Sequence, residues 1–220
     1  MTKAKGNKHA TRSAQTRERF ITAAQKLYAE RSIDSVSLNE ITVAAGQKNR
    51  NALQYHFGSR DGLLQAILDF HSDQVSALRA GFFAAELDPA WPAAEASARL
   101  LIVPLARYLE ENPQGSHYVK ILSQLAAINN DVTNPGNQSR LSFRDEADLH
   151  RLMTEALSHL GRAEAQRRVF LVVSITFHSI ADICRAADTA GAATPLKQRD
   201  AMFEQLIGVI SDLVAAPARD

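Results

Sequence analysis

Apolar residues recur every three or four positions along almost the whole chain, and no stretch alternates with a period of two for long enough to indicate a strand. The first clear stripe comprises Phe20, Ala23, Ala24, Leu27 and Tyr28. This spacing is typical of an amphipathic helix, which we predict from about Ala14 to Arg31. The sequence therefore predicts an all-α protein.

Two short helices joined by a glycine turn are predicted next. The run Ser37-Leu38-Asn39-Glu40 is a capping box that starts a helix, and Gly46 can end it in the left-handed conformation. After the polar residues 47–49, a second short helix is predicted from about Arg50 to Phe57. Behind a packing helix, such a pair forms a helix-turn-helix, whose second helix enters the DNA major groove.

Longer helices are predicted over the rest of the chain. Their expected spans are Ser59 to about Ala85, Pro92 to about Glu111 with a kink at Pro104, Pro113 to about Asn129, Ser139 to Leu160, Ala163 to Thr189, and Pro195 to Ala215. Residues 169–177 are apolar around the whole helix circumference, so one face can pack inside the body and another against a second chain. We therefore expect a homodimer through about residues 163–189 and 195–215.

The charge is distributed unevenly along the chain. The net charge is +1, but residues 1–60 carry 11 basic and 4 acidic side chains, a net of +7, and the remaining residues carry a net of −6. A basic head on an acidic body favours a polyanion as partner, with nucleic acid first.

Cysteine content and apolar run length bear on the compartment. Cys184 is the only cysteine, which excludes an intramolecular disulfide and fits a reducing cytoplasmic setting. The most apolar runs are shorter than the roughly 20 residues that cross a bilayer, and the basic N-terminus has no apolar segment behind it. We expect no signal peptide and no membrane partner.

The segment from Thr16 to Ile67 resembles the TetR-type transcriptional regulators. The motifs that carry the resemblance are Ser37-Leu38-Asn39-Glu40-Ile41, Ala45-Gly46, Tyr55-His56-Phe57 and Gly58-Ser59-Arg60-Asp61-Gly62-Leu63-Leu64. Gly46 to Phe57 is one residue longer than the family commonly has, and Gln54 stands where the family usually has tyrosine. The resemblance implies a dimer whose larger body binds a small molecule or a partner and reorients two DNA-binding heads.

Three regions follow from these patterns. We expect a disordered basic arm over residues 1–12, a three-helix helix-turn-helix domain over residues 13–58, and an effector-binding and dimerisation domain over residues 59–220.

The candidate DNA contacts lie in and around the second short helix. Arg50, Asn51 and Gln54 suit base edges, because guanidinium and amide groups pair with guanine and adenine. The phosphate candidates are Lys48, Tyr55, His56 and Arg60, with Ser37 and Thr42 as hydroxyl or amide donors at a helix start. Asn49 is a further candidate DNA contact. The alternative is that these residues form an ordinary solvated face, and that the rings of Tyr55 and His56 pack inside the small head.

The body offers a weaker set of ligand candidates. The predicted pocket residues are Phe82, Trp91, Tyr108, Tyr118, Phe143, Phe177 and His178, which would suit a largely hydrophobic effector. Aromatic residues at helical spacing are more often core than pocket. His178 and Asp182 share a helix face but lack a second ligand pair, so we predict neither a metal nor a cofactor.

The leading hypothesis is a homodimeric, sequence-specific DNA-binding regulator, a repressor released from a palindromic operator by a small hydrophobic effector. The alternative is an all-helical carrier of small molecules or lipids, or an enzyme, whose helix-turn-helix arises from helical packing alone. No glycine-rich phosphate loop, Gly-x-Ser-x-Gly or His-Glu-x-x-His motif supports catalysis, so we predict that the protein is not an enzyme.

Overall fold

The computed structural model describes residues 3–49, 51–128, 141, 147–189, 191 and 194–218. Over these residues the chain consists of α-helices with two short 3-10 turns and no strand, which confirms the all-α prediction. The helices are α1 (Lys3–Glu30), α2 (Leu38–Ala44), α3 (Ala52–Phe57), α4 (Arg60–Ala85), α5 (Ala93–Glu111), α6 (Gly115–Ile128), α7 (Ala147–Ala156), α8 (Arg162–Asp188) and α9 (Arg199–Ala215). The 3-10 turns are Ile33–Ser35 and Pro195–Lys197.

Two predicted helix boundaries are wrong. The chain is already helical from Lys3, so the segment expected to be a disordered arm belongs to α1. Residues 3–13 contain no proline and one glycine, and extending a helix that is already nucleated costs far less than starting one. α7 ends at Ala156 instead of Leu160, and its predicted start at Ser139 lies outside the described residues.

The ends of the short helices follow the capping chemistry of the sequence. Ser37 Oγ accepts a hydrogen bond from the Glu40 amide at 3.1 Å, and Glu40 Oε2 accepts one from the Ser37 amide at 2.8 Å, so the predicted capping box is present. The Ser37 amide, together with Arg31, lowers the pKa of Glu40 to about 2. Gly46 and Gly58 follow α2 and α3 with φ of +68° and +72°, a conformation that side-chain-bearing residues adopt at a cost.

The first compact unit consists of the described residues up to Phe70, together with Leu141. Its core brings together large apolar side chains from α1, α2, α3 and the start of α4, all at most 2% exposed. They are Phe20, Tyr28, Ile41, Leu53, Leu63 and Ile67. This unit contains the predicted three-helix head.

The second compact unit begins at His71 and contains the rest of α4 and helices α5 to α9. In this unit α5 packs against α7 and α9, and α8 packs against α6 and α9. Leu100, Ile121, Ile180 and Ile210 are buried in its interior, and Cys184 is buried as well. The division between the units falls inside α4, so the predicted domain boundary at residue 58 stays a prediction.

A buried arginine joins the start of α8 to the end of α9. Arg168 is 5% exposed, and its guanidinium donates to the carbonyls of Leu213 and Ala216 and to Glu164. These carbonyls are groups that a helix C-terminus leaves without intrahelical partners. The interaction therefore caps α9 and fixes it against α8.

α8 is also the one described helix that is long and apolar enough to cross a bilayer by length and composition. A third of the most apolar 18-residue stretch of α8 is buried in the protein. Core helices of water-soluble proteins can have the same length and apolar composition, so this is weak evidence for a membrane span.

Replacement of Gly62 by alanine should destabilise the head. A Cβ at this position would lie 2.0 Å from the Phe57 carbonyl oxygen, so the backbone between α3 and α4 would have to shift, at a cost of about 1 to 3 kcal/mol. Gly81→Ala is the matched control, because it lies in the same helix and nothing lies within 4 Å of its added Cβ. Thermal unfolding should give a lower Tm for Gly62→Ala and an unchanged or higher Tm for Gly81→Ala, and equal Tm values would contradict this packing.

Candidate functional site

The second short helix, α3, turns one side towards the core of the head and the other towards solvent. Leu53 is 2% exposed and anchors the inner side. Gln54 is exposed, and Tyr55 is 83% exposed on the outer side. Asn51, at the start of the helix, is also exposed and its side chain makes no capping hydrogen bond. Amide and phenol groups that can donate or accept hydrogen bonds therefore line the outward edge of α3.

The turn before α3 is held by an asparagine. Asn49 Oδ1 accepts a hydrogen bond from the Asn51 amide at 3.0 Å, and the Asn49 carbonyl accepts one from Ala52 at 3.1 Å. This is the side-chain turn that asparagine favours. Lys48 is exposed beside it, and Arg50 lies outside the described residues.

The two rings at the end of α3 behave differently. Tyr55 points outward, whereas His56 is half-buried, with its ring centroid 6.1 Å from those of both Phe20 and Phe57. The sequence left open whether each ring contacts DNA or packs inside the head. Tyr55 remains a candidate DNA contact, and His56 packs partly on the core.

Three predicted contact residues have partners inside the head. Thr42 is 3% exposed and its hydroxyl donates to the Leu38 carbonyl at 2.8 Å, so it leaves the candidate set. Arg60, a predicted phosphate contact, is half-buried and donates to the Ile33 carbonyl, so it tethers the start of α4. Both polar groups of Ser37 are engaged in the capping box.

One exposed residue of the head was missed. Val43, on α2, is 68% exposed, as single apolar side chains on protein surfaces often are. Apolar side chains can contact the thymine methyl group in the major groove. The sequence did carry a signal for Val43, because the capping box sets a helical register that leaves this position off the buried face.

Residues 20–67 match the family model described as bacterial regulatory proteins of the tetR family. The chain carries the DNA-binding domain of the TetR family. The match covers 48 of the 220 residues, and these residues include the two short helices of the head. A comparison with curated proteins gives no match.

Solved structures with the same fold extend the likeness over most of the chain. One is a protein from a Rhodococcus species described as a TetR-family transcriptional regulator, 17% identical with a TM-score of 0.52, covering 92% of this chain and 100% of that one. Two others are the multidrug binding protein EbrR with imidazole (18% identity, TM-score 0.45, 92% of each chain) and a gamma-butyrolactone receptor (21%, 0.44, 91% and 98%). At these identities the first likeness supports the fold, and the lower TM-scores of the other two add nothing to it.

The predicted pocket residues of the body do not gather in one place. Phe82 is buried against Ala96, Leu100 and Leu152. Trp91 packs at the edge of that cluster under the Arg99 guanidinium, and Tyr108 and Tyr118 lie against His71. Phe177 is half-buried and His178 is exposed. Phe143 lies outside the described residues. Most of these aromatic side chains are core, the alternative that the sequence had left open.

A cavity of about 1020 Å³ lies instead between α7 and α8, with Leu101 of α5 in its lining. Its apolar lining includes Met153, Leu157, Val169 and Val172. Its polar lining residues include His150, Thr154, Arg162 and Gln166. Among the described residues no group of three or more His, Cys, Asp or Glu side chains is placed to hold a metal ion.

A buried histidine lies between two tyrosines in the second unit. His71 is completely buried, its Nδ1 is hydrogen-bonded to the Tyr108 hydroxyl, and its ring stacks on Tyr118 at 4.6 Å. Burial, with a smaller contribution from the charge of His117, lowers the pKa of His71 to about 4. Burial also raises the pKa of Tyr108 to about 12. The ring of His71 is therefore neutral at physiological pH.

This neutral histidine should make stability depend on pH. The unfolded chain takes up a proton near the ordinary histidine pKa of 6.5, whereas the folded protein resists it down to about 4, so stability falls as the pH drops through this window. Urea unfolding at pH 7.5, 5.5 and 4.5 should show a loss of up to about 3 kcal/mol from this group. In His71→Gln the loss should be smaller, and parallel pH profiles for the two proteins would contradict the assignment.

The tether formed by Arg60 should contribute to stability. Arg60→Gln removes a charged hydrogen bond to the Ile33 carbonyl, which should lower the free energy of unfolding by about 1.5 to 3 kcal/mol. Lys48→Gln, at an exposed position, is the control for loss of one positive charge and should leave unfolding unchanged. If Arg60→Gln unfolds like the wild type and loses only DNA affinity, Arg60 is a phosphate contact and not a tether.

Proposed function

We propose that the protein is a homodimeric repressor that binds a palindromic operator and is released from it by a small, largely hydrophobic effector. The observation that carries the DNA-binding part is the outward edge of α3, where Asn51, Gln54 and Tyr55 are exposed on a helix whose inner side is fixed by Leu53. Polar side chains exposed on a helix that is anchored in the head suit base-edge and phosphate contacts. Lys48 and Arg50 precede these residues in the sequence and add two positive charges.

Exposed apolar side chains on α8 and α9 support the homodimer. Phe170 and Leu171 on α8 and Val209 on α9 are 37%, 42% and 49% exposed. A groove of about 380 Å³ between the two helices is lined mainly by apolar residues, including Ile175, Met202 and Leu206. Apolar surface of this kind is costly in water, and a second copy of the same two helices would bury it.

The cavity between α7 and α8 supports an effector site. Its volume suits a small molecule, and its lining is mainly apolar with a few polar groups, as in most ligand pockets. An effector that binds one conformational state of the dimer better than the other would shift the population away from the DNA-binding state. A coupling free energy of about 1 to 3 kcal/mol would weaken operator binding about 5- to 150-fold.

A cytoplasmic location and the absence of catalytic activity belong to the same proposal. Duplex DNA is the main partner, and no cofactor is required for binding. The second candidate, a helical carrier or enzyme, would not need the net charge of +7 on residues 1–60 or the exposed polar edge of α3.

Selection from a pool of random duplexes tests the proposal. At one fixed, near-physiological salt concentration, the purified protein should enrich a palindrome with half-sites spaced by about 34 Å or a multiple of it. Gln54→Ala should change base preference at one position in each half-site, by about 1 to 3 kcal/mol, because an exposed amide on α3 suits adenine.

The control for this selection is Arg151→Gln, a charge change at an exposed position of α7 in the second unit, which should leave the enriched motif unaltered. Binding without enrichment, or enrichment of a single unrepeated site, would contradict the dimeric sequence-specific regulator. It would favour the carrier, and the cavity between α7 and α8 would then be tested for lipid binding.

A further inference from the structure

The N-terminal part of α1 extends beyond the core of the head. The first buried residue of this helix is Phe20, and every described side chain before it, from Thr11 onward, is exposed or half-buried. Residues 3–19 therefore form an extension of about 25 Å at 1.5 Å per residue. It also lies outside residues 20–67, the part that matches the family model.

The composition of this extension restricts what it can bind. Between positions 3 and 19 the apolar residues are alanines only, so the segment offers nothing large to bury in a protein interface or a bilayer. The same seventeen positions carry six lysines and arginines and a single acidic residue, Glu18. A polyanion is the partner that complements such a segment.

Helical geometry gathers four of these basic positions into a line. At 100° per residue, positions 5, 8, 12 and 19 fall within about 60° of one another around the helix axis. They hold Lys5, Lys8, Arg12 and Arg19, which we call the basic stripe. Its positions follow one another at about 4.5, 6 and 10.5 Å along the axis. The buried residues Phe20, Ala24 and Tyr28 are centred about 130° away around the axis of α1.

The extension leaves the head beside the candidate recognition helix. The guanidinium of Arg17 lies 5.3 Å from the ring of Phe57, the last residue of α3. Residues 3–19 of α1 therefore begin next to α3, the helix that the proposed function places in the major groove. The described side chains of the basic stripe, Arg12 and Arg19, are exposed, so the packing of the head does not require them.

We propose that the basic stripe of α1 binds the phosphates of duplex DNA next to the half-site occupied by α3, as a helical, sequence-independent clamp. This inference rests on the proposed DNA-binding function. Phosphate contacts by lysine and arginine release counterions, so they add affinity for every sequence and steepen the dependence of binding on salt. They carry no base information.

The test uses the full-length protein with the stripe variant Lys5→Gln/Lys8→Gln/Arg12→Gln. Glutamine keeps a helix propensity close to that of lysine and arginine, so the helix should persist. The charge-matched control is Arg151→Gln/Arg167→Gln/Arg185→Gln, three exposed positions of the second unit that do not line the cavity between α7 and α8. Binding to a labelled 30-base-pair duplex of mixed sequence and to the selected operator is measured by fluorescence anisotropy between 50 and 200 mM KCl.

The stripe variant should bind both duplexes at least tenfold more weakly, by the same factor, and the slope of log affinity against log salt should become shallower by about 2 to 3 per bound protomer. The control should match the wild type. If the stripe variant and the control bind alike while the wild type still binds duplex, the inference is overturned and the proposed function stands. If the wild type binds no duplex, the proposed function itself has failed.

A second variant tests the helical form of the clamp. Ala10→Pro keeps every charge but interrupts α1 between positions 8 and 12, because proline removes an intrahelical hydrogen bond and clashes with the preceding turn. Ala10→Pro should lose almost as much affinity for duplex DNA, and almost as much salt dependence of binding, as the stripe variant. Unchanged binding by Ala10→Pro would overturn the helical clamp, and stronger retention on single-stranded RNA or anionic vesicles than on duplex DNA would overturn the choice of partner.

Discussion

The candidate DNA-binding edge depends on a helix that is too short to form on its own. α3 has six residues, whereas isolated helices below about 12 to 15 residues are marginal in water. Its stability must therefore come from Leu53 in the core of the head and from the two positive-φ glycines, Gly46 and Gly58, that turn the chain before and after it. The outward groups of α3 are positioned only as well as this support is maintained.

The same constraint explains how polar groups divide within the head. Ser37, Thr42 and Arg60 are engaged in capping or carbonyl hydrogen bonds that hold α2 and α4 in place. Gln54 and Tyr55 lie on the side of α3 away from the core and are exposed to solvent. The polar residues that hold the helices of the head in place are thus different from those that are available to a partner. The sequence alone does not distinguish the two groups, because both consist of polar side chains.

The helix ends of the head could be predicted from the sequence because they depend on neighbouring residues. The features that depend on tertiary packing could not. The capping box at Ser37 and the glycine at position 46 encode their helix ends within four or five residues, so they could be predicted. The tether from Arg60 to Ile33 joins residues 27 apart, and no spacing rule indicates it. The aromatic residues of the body have helical spacing whether they line a pocket or fill a core, so the cavity between α7 and α8 was not found from them.

The proposals for the body and for the head rest on different kinds of support. In the head, a family match and an exposed helix edge both support the proposed DNA binding, whereas in the body the support consists of one cavity and an apolar surface. Hydrogen exchange of the full-length protein, with and without the duplex selected by it, tests the central claim most directly. The account predicts slower exchange in peptides covering residues 48–57, and slowing confined to the second unit would contradict it.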